Sequence, residues 1–404
     1  MAMVFDSTEG QKNLPRYFAQ VFEKARQMER GRLDFVLPDG RVFRAEGRAP
    51  GPVAVIRLHS DDVFARLIRE GELGFADAYL EGDWSTPDLQ GFMDLLFAGN
   101  TALRDGFPGM ALVRLWERLR HRLRANSRKQ ARRNISYHYD LGNDFYALWL
   151  DDSMTYSSAL FRTGQESLER AQEQKYAALV DAMGAKPGDH VLEIGCGWGG
   201  FAEYAAGKRG LRVTGLTISR AQYDYALERM ARAGLSDRVE IRLQDYRDEA
   251  GRYDGIASIE MFEAVGEKYW PVYFDKLRAC LKPGKRAALQ IITLTEERFE
   301  AYRKGVDFIQ KYIFPGGMLP SKTALAEQIR RAGLKTTGQL AFGESYSQTL
   351  RRWHENFNAR WDEVARLGYD ARFRRMWNFY LTSCAAGFHS GNCDVVQVTM
   401  EKPA

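Results

Sequence analysis

The chain has 404 residues, 45% hydrophobic and 27% charged, a length that suits two domains and a composition ordinary for a soluble globular protein. Its net charge of +5 is too small to define a partner, so where the charge lies matters more than its total. No apolar run approaches the roughly 18 residues of a membrane helix, the opening MAMVFDSTEG lacks a secretory layout, and the four cysteines and six histidines show no ligand spacing. No metal is therefore expected, and reduced thiols in a cytosol are.

Residues 1 to 30 read as a polar amphipathic start. Leu33 to Val36 and Arg41 to Ala45 are strand-like runs around Pro38-Asp39-Gly40, a hairpin signal. Ser60-Asp61-Asp62 is placed to cap a helix carrying Val63, Phe64, Leu67 and Ile68 on one face. The segment Phe75 to Trp84 is aromatic and acidic. Together these predict a small α+β domain over residues 1–100, for lipid binding or dimerisation, without a catalytic constellation.

Over residues 101–133 the reading is a basic amphipathic helix and linker. Leu112, Leu115, Trp116, Leu119 and Leu123 form a helical stripe. Arg114, Arg118, Arg120, Arg122, Arg124, Arg128, Lys129, Arg132 and Arg133 surround it, opposed only by Glu117. Such a segment suits an anionic membrane surface. Nucleic acid is the competing partner and a solvated connector the plainest alternative.

Residues 134–404 form the remaining domain. It opens on a stretch dense in aromatics, with Tyr137, His138, Tyr139, Phe145, Tyr146, Trp149 and Tyr156 suited to an apolar cavity, a cation site or a cap on the sheet. Helix and strand then alternate: a helix over Glu166 to Met183, then strands at Val191 to Ile194, Arg212 to Leu216, Val239 to Leu243, Tyr253 to Ile259 and Ala287 to Thr293, with helices between. That is a doubly wound sheet with ligand at the strand C-termini. The first strand runs into HVLEIGCGWGGFAEY. Gly195, Gly197, Gly199 and Gly200 leave backbone N–H groups and open space beside a ligand. A dinucleotide site also begins G-x-G. Against it, Glu193 sits in the strand end, and the second strand ends in Thr217-Ile218-Ser219 where a ribose-binding acid would stand. The E-x-G-C-G-x-G-G form resembles the S-adenosylmethionine loop of class I methyltransferases. After the fifth strand, Tyr302, Phe308, Tyr312, Ile313 and Phe314 offer apolar lining for a greasy acceptor, or else a buried helix pair.

Further motifs agree with one family: YHYDLGNDFYALWLD, MTYSSALF, GLTIS, LQDYRD, IEMFEAVG, KYIFPGGMLPS and SYSQTL. Over nearly its full length the chain resembles the cyclopropane-fatty-acyl-phospholipid synthases and their mycolic acid relatives. The resemblance implies a class I methyltransferase Rossmann-like α/β sheet with helical acyl-pocket insertions. It implies an S-adenosylmethionine-dependent C-methyltransferase acting on the cis double bond of a phospholipid acyl chain, with bicarbonate as a possible second cofactor that removes a proton. Because water quenches carbocations, the acceptor site should be apolar and closed. By resemblance, Gly195, Gly197 and Gly199 approach the donor through backbone, and Tyr156 and Ser157 meet its amino acid end. Thr217, Ile218 and Gln222 hold its ribose and adenine region, with Gln244 and Asp245 near the adenine. Glu263 anchors bicarbonate, Tyr346 stands at that anion, and Ile292 contributes backbone.

The chain departs from the family where the proton is removed. The family's cysteine is Ser158, its strand-five histidine is Gln290, and FEHVG reads FEAVG with Ala264. Serine and glutamine still hydrogen-bond an anion, but glutamine cannot titrate. The expectation is therefore a methyl-branched unsaturated chain over a cyclopropane. Ring closure through bicarbonate is the alternative, and a catalytically silent lipid- and cofactor-binding protein the second. The expected partners are an unsaturated phospholipid, an anionic membrane and a second copy of the chain, not nucleic acid. The expected location is cytoplasmic, on the inner face of the membrane.

Overall fold

The computed structural model describes residues 3–99 and 141–404. The basic segment of residues 114–133 and the aromatics Tyr137, His138 and Tyr139 lie outside the described residues. Among the described residues no helix is long and apolar enough to cross a membrane. Cys196 and Cys280 are buried thiols. The chain divides into two compact units.

The first unit gathers residues 3–99 with Lys304–Ile313 and Trp361–Ser390. Its five strands are β1 (Val4–Phe5), β2 (Arg30–Val36), β3 (Val42–Glu46), β4 (Ala49–Leu58) and β5 (Trp84–Ser85), in the order β1-β3-β2-β4-β5. The expected hairpin joins β2 to β3, with Gly40 at φ 86° and its N–H donating to the Leu37 carbonyl. β4 goes unread in the sequence because it opens on Ala49-Pro50-Gly51-Pro52, residues that argue against a strand. It nonetheless pairs parallel with β2 and buries Ala54, Ile56 and Leu58. The helix Val63–Glu70 forms where expected, but the Asp62 side chain does not cap it; instead Ser60 Oγ accepts from the Asp62 N–H at 3.2 Å. Phe18, Phe22, Phe35, Phe43 and Phe64 pack ring to ring under the sheet, all nearly fully buried. Each ring contributes on the order of 2 kcal/mol of burial.

The later segments of this unit show how two of the candidate lining residues pack. Phe308 packs at a tilt against Phe379 with centroids 4.5 Å apart, and Tyr312 Oη donates to Asp77 at 2.6 Å. Two of the five residues expected to line an acceptor cavity are thus spent on packing here.

The second unit holds a seven-stranded sheet, ordered β11-β12-β10-β9-β6-β7-β8. Its strands are β6 (His190–Ile194), β7 (Arg212–Thr217), β8 (Val239–Leu243), β9 (Tyr253–Ile259), β10 (Leu281–Leu294), β11 (Lys335–Ala341) and β12 (Cys393–Glu401). The first five are parallel, as the apolar runs predict. β12, which the sequence reading does not place, enters antiparallel between β10 and β11. The order reverses between β6 and β9, so a crevice opens beyond their C-terminal ends. Gly195 and Glu260 are the first residues after those two strands.

Candidate active site

At the β6 end, the glycine loop turns through positive φ at Gly195 (83°), Gly197 (53°) and Gly199 (83°) into the helix Gly200–Arg209. A Cβ on Gly195 would lie 2.8 Å from Met261 Cγ, so the loop is pressed against the segment that follows β9. A Cβ on Gly197 would meet nothing within 4 Å. That open backbone is what a ligand laid across the loop requires. Glu193, 2% exposed, has an Oε2 with no partner among the described residues. An orphaned buried carboxylate oxygen fits a polar ligand supplying the missing donor. The loop therefore fits S-adenosylmethionine.

Around it, Thr217 Oγ1 donates to Gln222 Oε1 at 3.0 Å and accepts from the Ser219 N–H at 3.1 Å. The Gln244 N–H donates to the Thr217 carbonyl at 2.9 Å, tying β8 to β7, and Ile218 lies partly buried between these groups. The other two expected adenine contacts have protein partners of their own. Gln244 Nε2 donates to Glu249 at 3.2 Å, and Asp245 takes two bonds from the Arg247 guanidinium at 2.6 and 2.9 Å. Tyr156 packs among Tyr146, Trp149 and Trp353 with centroids 5.3 to 5.5 Å away, and faces Phe314 at 6.5 Å.

At the β9 and β10 ends, charge is buried. Ser157 Oγ accepts from Lys175 Nζ at 2.6 Å, and Lys175 is fully buried. Burial pulls the Lys175 ammonium down to about 7, against the pull of Glu260, Asp151 and Glu193. Glu263 Oε1 accepts from the Ile292 N–H at 2.5 Å, while its buried Oε2 has no partner among the described residues. Burial first, and then the Glu260 charge, push the Glu263 carboxyl up to about 8. Burial likewise lifts Glu193 to about 8.

Tyr346, Gln290 and Ser158 do converge, but on a protein carboxylate. Tyr346 Oη donates to Glu260 Oε2 at 2.9 Å; Gln290 Nε2 donates to Glu260 Oε1 at 2.7 Å; the Ser158 N–H donates to the same oxygen at 2.8 Å. The Ser158 hydroxyl turns away and donates to the Ala159 carbonyl at 2.9 Å. Ser158 and Gln290, expected to hydrogen-bond an outside anion, thus serve Glu260 in this structure, together with Tyr346. The Gln290 amide is aimed by its cross-strand partner on β12, since Gln397 Nε2 donates to Gln290 Oε1 at 3.1 Å. Glu260, Lys175 and Gln397 escaped the sequence reading. The signal for Glu260 was present in IEMFEAVG, an acid placed directly after a parallel strand.

The comparisons with known proteins point to one family. The family model described as mycolic acid cyclopropane synthetase matches residues 126–398. A tuberculostearic acid methyltransferase of Mycobacterium tuberculosis is 41% identical over 383 residues, covering 91% of this chain and 87% of that protein. A cyclopropane-fatty-acyl-phospholipid synthase of Escherichia coli is 36% identical over 361 residues, covering 88% and 89%. Among solved structures, a mycolic acid cyclopropane synthase complexed with SAH and CTAB superposes with a TM-score of 0.63 at 30% identity, covering 67% of this chain and 98% of that one.

Proposed function

The chain belongs to the mycolic acid cyclopropane synthetase family of S-adenosylmethionine-dependent methyltransferases, and on that premise we propose that it methylates the cis double bond of an unsaturated acyl chain in a membrane phospholipid, leaving a methyl-branched unsaturated chain. S-adenosylmethionine supplies an electrophilic methyl group. Gly195, Gly197 and Gly199 give that donor backbone to lie against, and Tyr156 with its ring of aromatics excludes water from the cation that forms in the acyl chain.

The observation that carries the choice of product is Gln290. Its buried amide neither takes up nor releases a proton and is fixed in orientation by Gln397, whose Nε2 donates to its Oε1. Ring closure needs the proton to leave the newly added methyl, whereas a branch needs it to leave a neighbouring chain carbon. A displacement of about 1 Å in the proton acceptor is enough to redirect such a choice. The relative of highest identity described above carries a methyltransferase name rather than a synthase one, which supports the branch.

The deciding experiment gives the purified chain a cis-unsaturated phospholipid and labelled donor, then analyses the fatty acids. Both products gain one methylene, so mass alone does not separate them. A branched alkene takes up hydrogen under mild conditions; a cyclopropane shows ring methylene protons at unusually high field instead. Ring signals alone overturn the branch. Membrane contact is proposed through the basic segment. Reversing Arg118, Arg122, Lys129 and Arg132 should weaken binding to anionic vesicles by about 1 kcal/mol per group without changing donor affinity. Vesicle binding insensitive to salt and lipid charge would reduce that segment to a connector.

A further inference from the structure

We propose that the Glu260 carboxylate is the chain's own proton acceptor, filling the place that a recruited anion would otherwise take. The inference rests on the acceptor being an alkene, and goes beyond it by naming the base. The cation formed on methyl transfer must lose a proton, and the base must be buried beside the donor loop. Glu260 follows β9 at the crevice where the strand order reverses, next to Met261, which touches the Gly195 position. Three donors from three distant segments converge on it: Tyr346 Oη, Gln290 Nε2 and the Ser158 N–H. It keeps part of its surface accessible, as a group meeting substrate must, while Gln290, Gln397 and Ser158 behind it are buried.

Its backbone is held at φ 49°, a left-handed conformation that a non-glycine residue rarely adopts. Surrounding structure must over-determine such strain, and residues so held concentrate at functional sites. The neighbouring groups suit the other roles. Glu263 is pinned by the Ile292 N–H and pushed towards its neutral form, and Gln290 cannot titrate. Burial raises Glu260 as well, but the Lys175 charge and the three hydrogen bonds favour its carboxylate.

The step balances. The π pair of the alkene forms the new C–C bond to the methyl carbon while the C–S pair returns to sulfur, leaving a thioether and a cation in the acyl chain. Glu260 takes a proton from a carbon beside the cation, and the C–H pair becomes the new C=C bond. The carboxylate ends as a carboxyl and the chain as a neutral alkene; the proton passes to water when product leaves.

The test uses the full chain, labelled donor and dioleoyl phosphatidylglycerol vesicles in carbon-dioxide-free buffer, with and without added bicarbonate. Wild type should turn over equally in both. Glu260→Gln, close to isosteric, should lose roughly a hundredfold or more in turnover with calorimetric donor affinity unchanged. Glu260→Gly suits the left-handed backbone and leaves the three donors facing a gap. Added bicarbonate should restore much of its turnover and raise its melting temperature, and should do neither for wild type. The proposal is overturned if wild type needs bicarbonate, if Glu260→Gln keeps its turnover, or if bicarbonate stabilises wild type. Should wild type methylate no unsaturated phospholipid, it is the acceptor reading that fails. The bicarbonate-induced melting shift needs no acceptor and still decides whether Glu260 fills the anion site.

Discussion

The two halves of the crevice solve opposite problems. The β6–β8 half receives the donor and is built from backbone: three glycines at positive φ and an open position at Gly197. The β9–β12 half, where we place the proton transfer, is built from side chains: Lys175, Glu260, Glu263, Gln290, Tyr346 and Gln397, most of them buried. Backbone donors bind without titrating, although Glu193 beneath the loop is a carboxyl that burial raises to about 8. The second half depends on keeping charges unhydrated beside one another, and each is costly if its neighbours are removed.

The largest break in that contrast should come from Lys175→Met. Deleting the buried cation leaves Glu260 and Glu193 without their compensating charge. Denaturant unfolding at pH 6, where Lys175 with its value of about 7 is still charged, should show a loss of about 3 kcal/mol or more; a loss below about 1 kcal/mol would mean that the carboxylates need no cation.

Glu263→Gln comes next and is read through pH. The Glu263 carboxyl is raised from its ordinary 4.5 to about 8, so the folded state holds a proton that the unfolded state releases across that window. Wild-type stability from this group is full below about 4.5 and is lost as pH rises towards 8. The glutamine variant lacks this loss. Its melting temperature relative to wild type should therefore rise from pH 5 to pH 8, with turnover reduced and donor affinity near normal. A pH-independent difference would place Glu263 in an ordinary exposed state.

Gly197→Ala tests the other half. A methyl group there would enter the space left for the donor, on a backbone at φ 53°. Calorimetry should show donor affinity weakened tenfold or more, about 1.4 kcal/mol, with turnover following donor saturation. Unchanged affinity in a folded variant would remove the loop from the donor site. The smallest effect is expected from Gln397→Leu, which frees the Gln290 amide to turn. It should cost about 1 kcal/mol of stability and shift the product distribution while leaving donor affinity unchanged. If the product is unaltered, the aim of Gln290 does not matter.

The same contrast explains what could be read in advance. The donor half is local: Val239–Leu243 and Tyr253–Ile259 are strands with the bounds their apolar runs predict, and the glycine spacing lies within one turn of chain. Glu260 was legible only as an acid after a strand, because its partners lie 30, 86 and 102 residues away. β11 was hidden because Lys335–Ala341 is largely exposed and shows no alternation. Phe308 and Tyr312 stayed open between lining and packing for the opposite reason: aromatic density marks burial, but not what does the burying.

The placement of β12 bears on how the protein is made. Residues 393–401 insert between β10 and β11, and β11 has no other strand partner among the described residues. Because translation runs from the N-terminus, every other strand of the sheet leaves the ribosome before the one that separates these two. A nascent chain thus carries the whole donor loop while Gln290 still lacks Gln397. We expect pulse-labelled chains to show protease resistance around residues 190–260 before residues 281–294 acquire it. Simultaneous protection of both stretches would mean that the sheet closes without waiting for β12. On this view the chain can bind its methyl donor first and becomes able to dispose of a cation only once β12 has been made.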